Sequence, residues 1–206
     1  EYLLQSPNTR LRERLLSPLL RGEIAGATGL SNAMKFLSGI EALQVRARPR
    51  DNGWSLSGRL HWVTNLRKSG FVVAAAIDDE TGGAPFILAI PDTLEGLQRS
   101  ADLQLMGLQS SNTAALDLEQ VEVHRDWLLH EDARVFLPAV RPAFLGLQCG
   151  LAIGLARRVP LGEAMRWALV GLDERMSADR AFSIGLVSEL VPFADLWGRV
   201  DVLARK

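Results

Sequence analysis

The sequence predicts an α+β protein: a central antiparallel β-barrel or sandwich domain flanked by an N-terminal helix and C-terminal helices. Three observations carry this. Apolar residues recur at helical spacing before Gly22, at period two from about 42 to 124, and at helical spacing again beyond Trp127. The short β segments follow one another with little room for crossover helices, which favours antiparallel neighbours.

The elements follow in order. Leu11, Leu15, Leu16, Leu19 and Leu20 make one apolar helical stripe, with Pro18 marking a break or kink near its end. Leu43, Val45 and Ala47 alternate with polar residues up to Asp51-Asn52-Gly53, which favours a tight turn. In the next run, Trp54, Leu56, Gly58, Leu60, Trp62 and Thr64 share one face by alternation, and Ser55, Ser57, Arg59 and His61 the other. FVVAAAID (71–78) and APFILAIPD (84–92) flank DETGG as a hairpin. In TAALDLEQVEV the apolar phase changes between Leu118 and Val121, which calls for a bulge near Glu119-Gln120. Beyond Trp127, Gly146, Gly150 and Gly154 recur every four residues and form a stripe along one helix. From Pro160 the pattern predicts a helix over Gly162–Val170, Ser177 as an N-cap, a short helix stopped by Gly185 and a last helix after Pro192.

Composition narrows the function classes. With 206 residues, 48% of them apolar, the chain can bury a core. A net charge of −1 with interspersed signs offers no basic surface, so no nucleic acid is expected as a partner. Cys149 stands alone, which excludes an internal disulfide and fits a reducing compartment; the expectation is cytoplasmic. The apolar run at 143–156 is too short for a membrane span, and the first residues carry charges where a signal peptide needs an apolar stretch. The sequence opens as though cut from a longer protein.

Most chemical motifs are missing: no P-loop, no G-x-S-x-G, no H-E-x-x-H and no C-x-x-C. His61, His124 and His130 have no metal spacing, and Asp78-Asp79-Glu80 and Glu131-Asp132 read as solvated turns or helix starts. The glycine stripe is not a dinucleotide fingerprint, since no strand precedes it. That leaves HWVTN (61–65) and Thr28. From the residues alone, Trp62 and Thr64 read either as a core tryptophan with a β-branched neighbour, or as a flat wall and a hydroxyl aimed at a planar ligand.

The order of several segments resembles the acyl-CoA dehydrogenase family over roughly residues 11–158. GRLHWVTN is similar to that family's G-x-x-x-W-[IV]-T-N, FVVAAAIDDETGGAPFILAIP to its next hairpin, LMGLQSSNTAALDLEQVEV to its L-G-x-x-x-S-x-T segment, and AVRPAFLGLQCGLAIGLARR to the first helix of its C-terminal domain. The resemblance implies a remnant of the N-terminal helical domain at 1–24, a middle β domain at 25–125 and the C-terminal domain's first helix at 126–158. It implies FAD as cofactor, with Trp62 beside the isoalloxazine, Val63 and Thr64 along the same strand, Thr64 near flavin N5, and Thr28 on the ring's polar edge. It further implies an acyl-CoA substrate, an electron-transfer flavoprotein as acceptor, and a homo-oligomer.

Departures accompany it. The family's T-E-P-x-x-G-S-D corresponds to Thr28 through Lys35, and Met34 stands where the serine that contacts acyl-CoA is found. The proton α to a thioester needs a carboxylate base; Val140 occupies one family position for it, so no catalytic residue is assigned. Residues 162–197 resemble the enoyl-CoA hydratase (crotonase) family, which implies a crotonase-like fragment at 159–206, joined near Arg158 without a linker. That segment starts after both of that family's carboxylates, so Glu163, Asp173 and Glu174 are not promoted to the role. The rival readings are a non-catalytic FAD or acyl-CoA binder, a hydratase-type fragment and a non-functional remnant.

Overall fold

The computed structural model describes residues 1–105, 111–157, 159–160, 162–163 and 177–204. The chain divides into two compact units, Glu1–Pro142 and Ala143–Lys206. In the first, helices α1 (Tyr2–Gln5) and α2 (Thr9–Leu20) precede strand β1 (Ala25–Thr28) and helix α3 (Leu30–Leu37). Strands β2 (Val45–Arg50), β3 (Gly53–Val63), β4 (Phe71–Asp79), β5 (Phe86–Pro91), β6 (Leu97–Arg99), β7 (Ala114–His124) and β8 (Leu128–His130) follow, and the unit ends within helix α4 (Ala133–Ala156). The second unit carries helices α5 (Ala178–Ser183) and α6 (Leu196–Ala204).

Helix α2 starts where Asn8 Oδ1 accepts from the Leu11 amide at 3.0 Å. Its stripe buries Leu11 and Leu15. The helix runs through Pro18 to Leu20 and ends ahead of Gly22, whose φ of 69° is open to glycine at no steric cost. Asn8 also donates to the Asp126 and Leu128 carbonyls, which ties the helix start to the far end of the sheet.

The eight strands form one open sheet in the order β6-β7-β3-β2-β4-β5-β8, with β1 attached to β4. Of the barrel or sandwich expected from the period-two pattern, the closed barrel is not what forms. The three-residue strands β6 and β8 end the sheet, too short to close it on one another. Nor is it wholly antiparallel: β4 pairs with β5 along one edge and shares the other between β1 and β2, both parallel to it. The β4–β5 hairpin matches expectation, with Val72 opposite Pro91 and Ile77 opposite Phe86. Its turn is held by Asp79 Oδ1, which accepts from the amide and hydroxyl of Thr81. Leu56, Leu60, Val63, Val73, Ile77, Leu88, Ile90, Leu116 and Val121 form the centre of the core.

Two register shifts shape the β3–β7 pair. Leu56 faces Val121 while Gly58 faces Leu118, so β7 carries an extra residue at the expected place, with Gln120 at φ 52°. Leu60 faces Leu116 and Val63 faces Ala114, so β3 carries an extra residue at His61-Trp62. This second bulge was not legible in the alternation. It turns Val63 into the core and Trp62 out of it, so Trp62 and Thr64 do not share a face with Leu56 and Leu60 as the unbroken alternation predicts.

The expected helix over Gly162–Val170 lies for the most part outside the described residues, as do the Met106–Ser110 part of the L-G-x-x-x-S-x-T segment and Arg158 at the join. Ser177 caps α5 as expected, accepting from the Arg180 amide at 3.1 Å. No described helix is long and apolar enough to cross a membrane.

Candidate functional site

The end of β3 is where chemistry-bearing groups collect. The bulge leaves Trp62 58% exposed, an unusual position for an indole on an otherwise well-packed sheet. Thr64, two residues on, is exposed on the same side, while Val63 between them is fully buried and offers a ligand no exposed surface. Asn65 then turns the chain at φ 61°, a conformation asparagine tolerates better than most residues. Its amide N–H donates to the Ser111 carbonyl at 2.8 Å, and its side chain donates to the Gly26 carbonyl at 3.0 Å.

That last bond brings β1 alongside. Thr28, half-buried, ends β1 opposite Ala74, and the Gly29 amide donates to the Ala74 carbonyl at 2.9 Å. Thr28 lines an apolar cleft of about 280 Å³ with Leu16, Leu19, Leu20, Val72 and Ala74. Its neighbour Gly29 lines a smaller, polar depression of about 80 Å³ with Asn32, Lys35, Glu41, His61 and Trp62. Thr28 and Trp62 thus stand at one end of the sheet, with Gly29 between the two hollows. A side chain at position 29 would press on the Leu60 methyls at 3.1 Å.

Behind Thr64 lies a feature that sequence reasoning passed over. Thr113 is buried, 6% exposed, and its hydroxyl sits 3.0 Å from the Thr64 hydroxyl and 2.7 Å from that of Ser111. The only sequence signal was the S-x-T spacing of residues 111–113. The three hydroxyls form a chain from the surface at Thr64 back to Ser111.

The depression beside Trp62 has its own order. Asn32, nearly buried, donates to Glu41 Oε1 at 2.8 Å and to the Ala42 carbonyl, and accepts from the Gln44 amide. Lys35 pairs with Glu41 at 3.3 Å. The Asn32 amide holds the Glu41 carboxyl below the usual carboxylate range, helped by Lys35 and more weakly by His61. The segment that would carry the family's serine is here helix α3, with Met34 inside it. Val140 on α4 is 2% exposed, an apolar side chain in the core. Among the described residues no three His, Cys, Asp or Glu side chains converge as a metal site.

A planar redox cofactor needs a flat apolar surface, placed donors and acceptors, and backbone it can approach. Exposed Trp62 offers a flat apolar surface and the Thr64 hydroxyl a polar partner on one short stretch, Thr28 adds a hydroxyl at the same end, and Val63 between Trp62 and Thr64 is buried.

No family model matches the chain. Isovaleryl-CoA dehydrogenase of Pongo abelii, a mitochondrial protein, is 26% identical over 142 residues, 66% of this chain and 33% of that protein. The solved structure of a glutaryl-CoA dehydrogenase from Mycobacterium smegmatis in complex with FADH2 matches at a TM-score of 0.57 and 24% identity, over 71% of this chain and 37% of that one. An acyl-CoA dehydrogenase from Geobacillus kaustophilus matches at a TM-score of 0.64 and 17% identity, over 99% of this chain and 52% of that one. The fold is that of the acyl-CoA dehydrogenases, one of which is solved in complex with FADH2, and the sequence relative carries an acyl-CoA dehydrogenase name as well. The chain spans about a third of the length of the curated relative. The crotonase-like reading of residues 160–204 gains no support, since the Geobacillus match runs over nearly the whole chain.

Proposed function

We propose that this chain is the flavin-holding portion of an acyl-CoA dehydrogenase-like flavoprotein, with FAD held against Thr28, Trp62 and Thr64, and Val63 packed in the core beneath them. The observation that carries the reading is the bulge at His61-Trp62, which presents an indole and a hydroxyl outward while Val63 anchors the strand in the core. When bound, FAD supplies hydride acceptance. The chain's own residues would bind the ring, orient it and offer it polar partners. The middle domain of this reading is residues 25–125, with an acyl-CoA thioester as substrate class and, by the same resemblance, an electron-transfer flavoprotein and a second copy of the chain as partners.

The finer reading is binding without turnover by this chain alone. It is supported by Val140, apolar and buried where a base would stand, and by Met34 within α3 in place of a thioester contact. A chain of this kind takes up FAD and shows flavin absorbance, but saturated acyl-CoA leaves that flavin oxidised.

The test is a titration of purified protein with FAD, followed by absorbance and fluorescence, on the parent and on Trp62→Ala/Thr64→Ala. The double variant should lose flavin affinity by about tenfold or more, from two lost contacts of roughly 1 kcal/mol each, with little change in thermal midpoint. A well-folded parent that stays colourless and binds no FAD ends the proposal.

A further inference from the structure

Thr64 is the outward hydroxyl of a three-member chain, and the chain has two possible directions. A hydroxyl has one proton to donate and two lone pairs. With Thr113 Oγ1 at 3.0 Å from Thr64 and 2.7 Å from Ser111, and nearly cut off from water, the protons can run from Ser111 through Thr113 to Thr64, or the reverse. In the first direction Thr64 accepts from Thr113 and its own proton points outward. In the second Thr64 donates inward and offers only lone pairs outward. Interconversion needs rotation about C–O bonds and no movement of a heavy atom.

We infer that Thr113 is a positioning residue that lets Thr64 serve both redox states of a bound flavin. This rests on the flavin reading given above. Oxidised flavin presents ring nitrogens that accept hydrogen bonds; two-electron reduction with proton uptake converts N5 to an N–H that donates. Against the oxidised ring Thr64 donates outward and is polarised by the Thr113 proton behind it. Against the reduced ring Thr64 accepts, and its own proton goes to Thr113. Without an inner acceptor, that second arrangement leaves the Thr64 proton with no partner on the protein side, and a donor that a bound ring covers without an acceptor is costly. Thr113 therefore favours reduced flavin over what Thr64 alone achieves.

The experiment measures the flavin midpoint potential and the affinities for oxidised and reduced FAD in the parent, Thr113→Val, Thr113→Ser and Thr113→Ala. Valine keeps the shape of threonine and removes the hydroxyl. The expected result is a loss of preference for the reduced form of roughly three- to tenfold in Thr113→Val, or about 15–30 mV toward harder reduction for a two-electron couple. Oxidised-FAD affinity should change less. Thr113→Ser restores the parent value, which a purely packing role for the methyl group would not. Thr113→Ala reads the same quantity if valine is not accommodated. A parent that binds FAD while its hydroxyl-less variants keep the parent potential overturns the relay and leaves the flavin reading standing. A folded parent that binds no FAD overturns both.

Discussion

Val63 lies opposite Ala114 across the β3–β7 ladder, although an unbroken alternation from Leu60 would point Trp62 inward instead. One extra residue separates the function of adjacent side chains. Val63→Ala should cost about 2 kcal/mol of folding stability by deleting buried methyls, and should leave FAD affinity nearly unchanged where the protein remains folded. Trp62→Ala should do the opposite, shifting stability by no more than about 0.5 kcal/mol. Urea unfolding and FAD titration on the two single variants check the separation, and parallel losses in both measurements would contradict it.

Gly58 has φ 143° and faces Leu118 beside the β7 bulge, and a Cβ there would lie 2.1 Å from the Gln44 carbonyl oxygen. Backbone cannot yield as a side-chain tip can. Gly58→Ala should lower stability by more than about 2 kcal/mol, through both strain and clash. A denaturation midpoint equal to that of the parent would show that β2 can move aside.

Asn65 combines a left-handed backbone with a side-chain bond to Gly26. The two roles separate by substitution. Asn65→Gly keeps the backbone free and loses the bond, for a cost of roughly 1 kcal/mol. Asn65→Ala loses both, for about 2 kcal/mol. Equal stability of the two variants would remove the backbone contribution from this account.

Glu41 titrates in a folded state that favours its charged form, with Asn32 and Lys35 as donors. Its pKa is depressed on folding, so its contribution is complete above the ordinary value of 4.5 and is lost as pH falls through the folded value. The stability gap between parent and Glu41→Gln should therefore be widest near neutral pH and narrow on acidification below about pH 4.5. Thermal midpoints across that range test the sign; a gap that widens in acid would refute it.

Helix α2, the β4–β5 hairpin and the bulge near Gln120 were legible because each is written in local pattern: Leu11 and Leu15 at helical spacing, DETGG between two apolar runs, and a phase change between Leu118 and Val121. Helices α1 and α3, of four and eight residues, are shorter than the roughly 11 residues over which such a stripe is read. The second bulge was not. His61-Trp62 interrupts no visible alternation, since Trp62 is as apolar as the core residue it replaces, and only pairing with β7 reveals the slip. The parallel attachment of β1 and β2 to β4 was equally hidden, because strand direction depends on partners distant in sequence. At the site, Thr28, Trp62 and Thr64 could be named from their motifs, whereas Thr113 acquires meaning only from its distance to Thr64.

Among the described strands β1 pairs with β4 alone, and the carbonyl of Gly26 accepts from the Asn65 side-chain amide, while Arg67 donates to the Gly22 carbonyl just upstream. These side chains stand in for a neighbouring strand. They engage acceptors that a bare margin would hold out to any extended peptide, so the seam beside Thr28 is guarded against intrusion by foreign backbone.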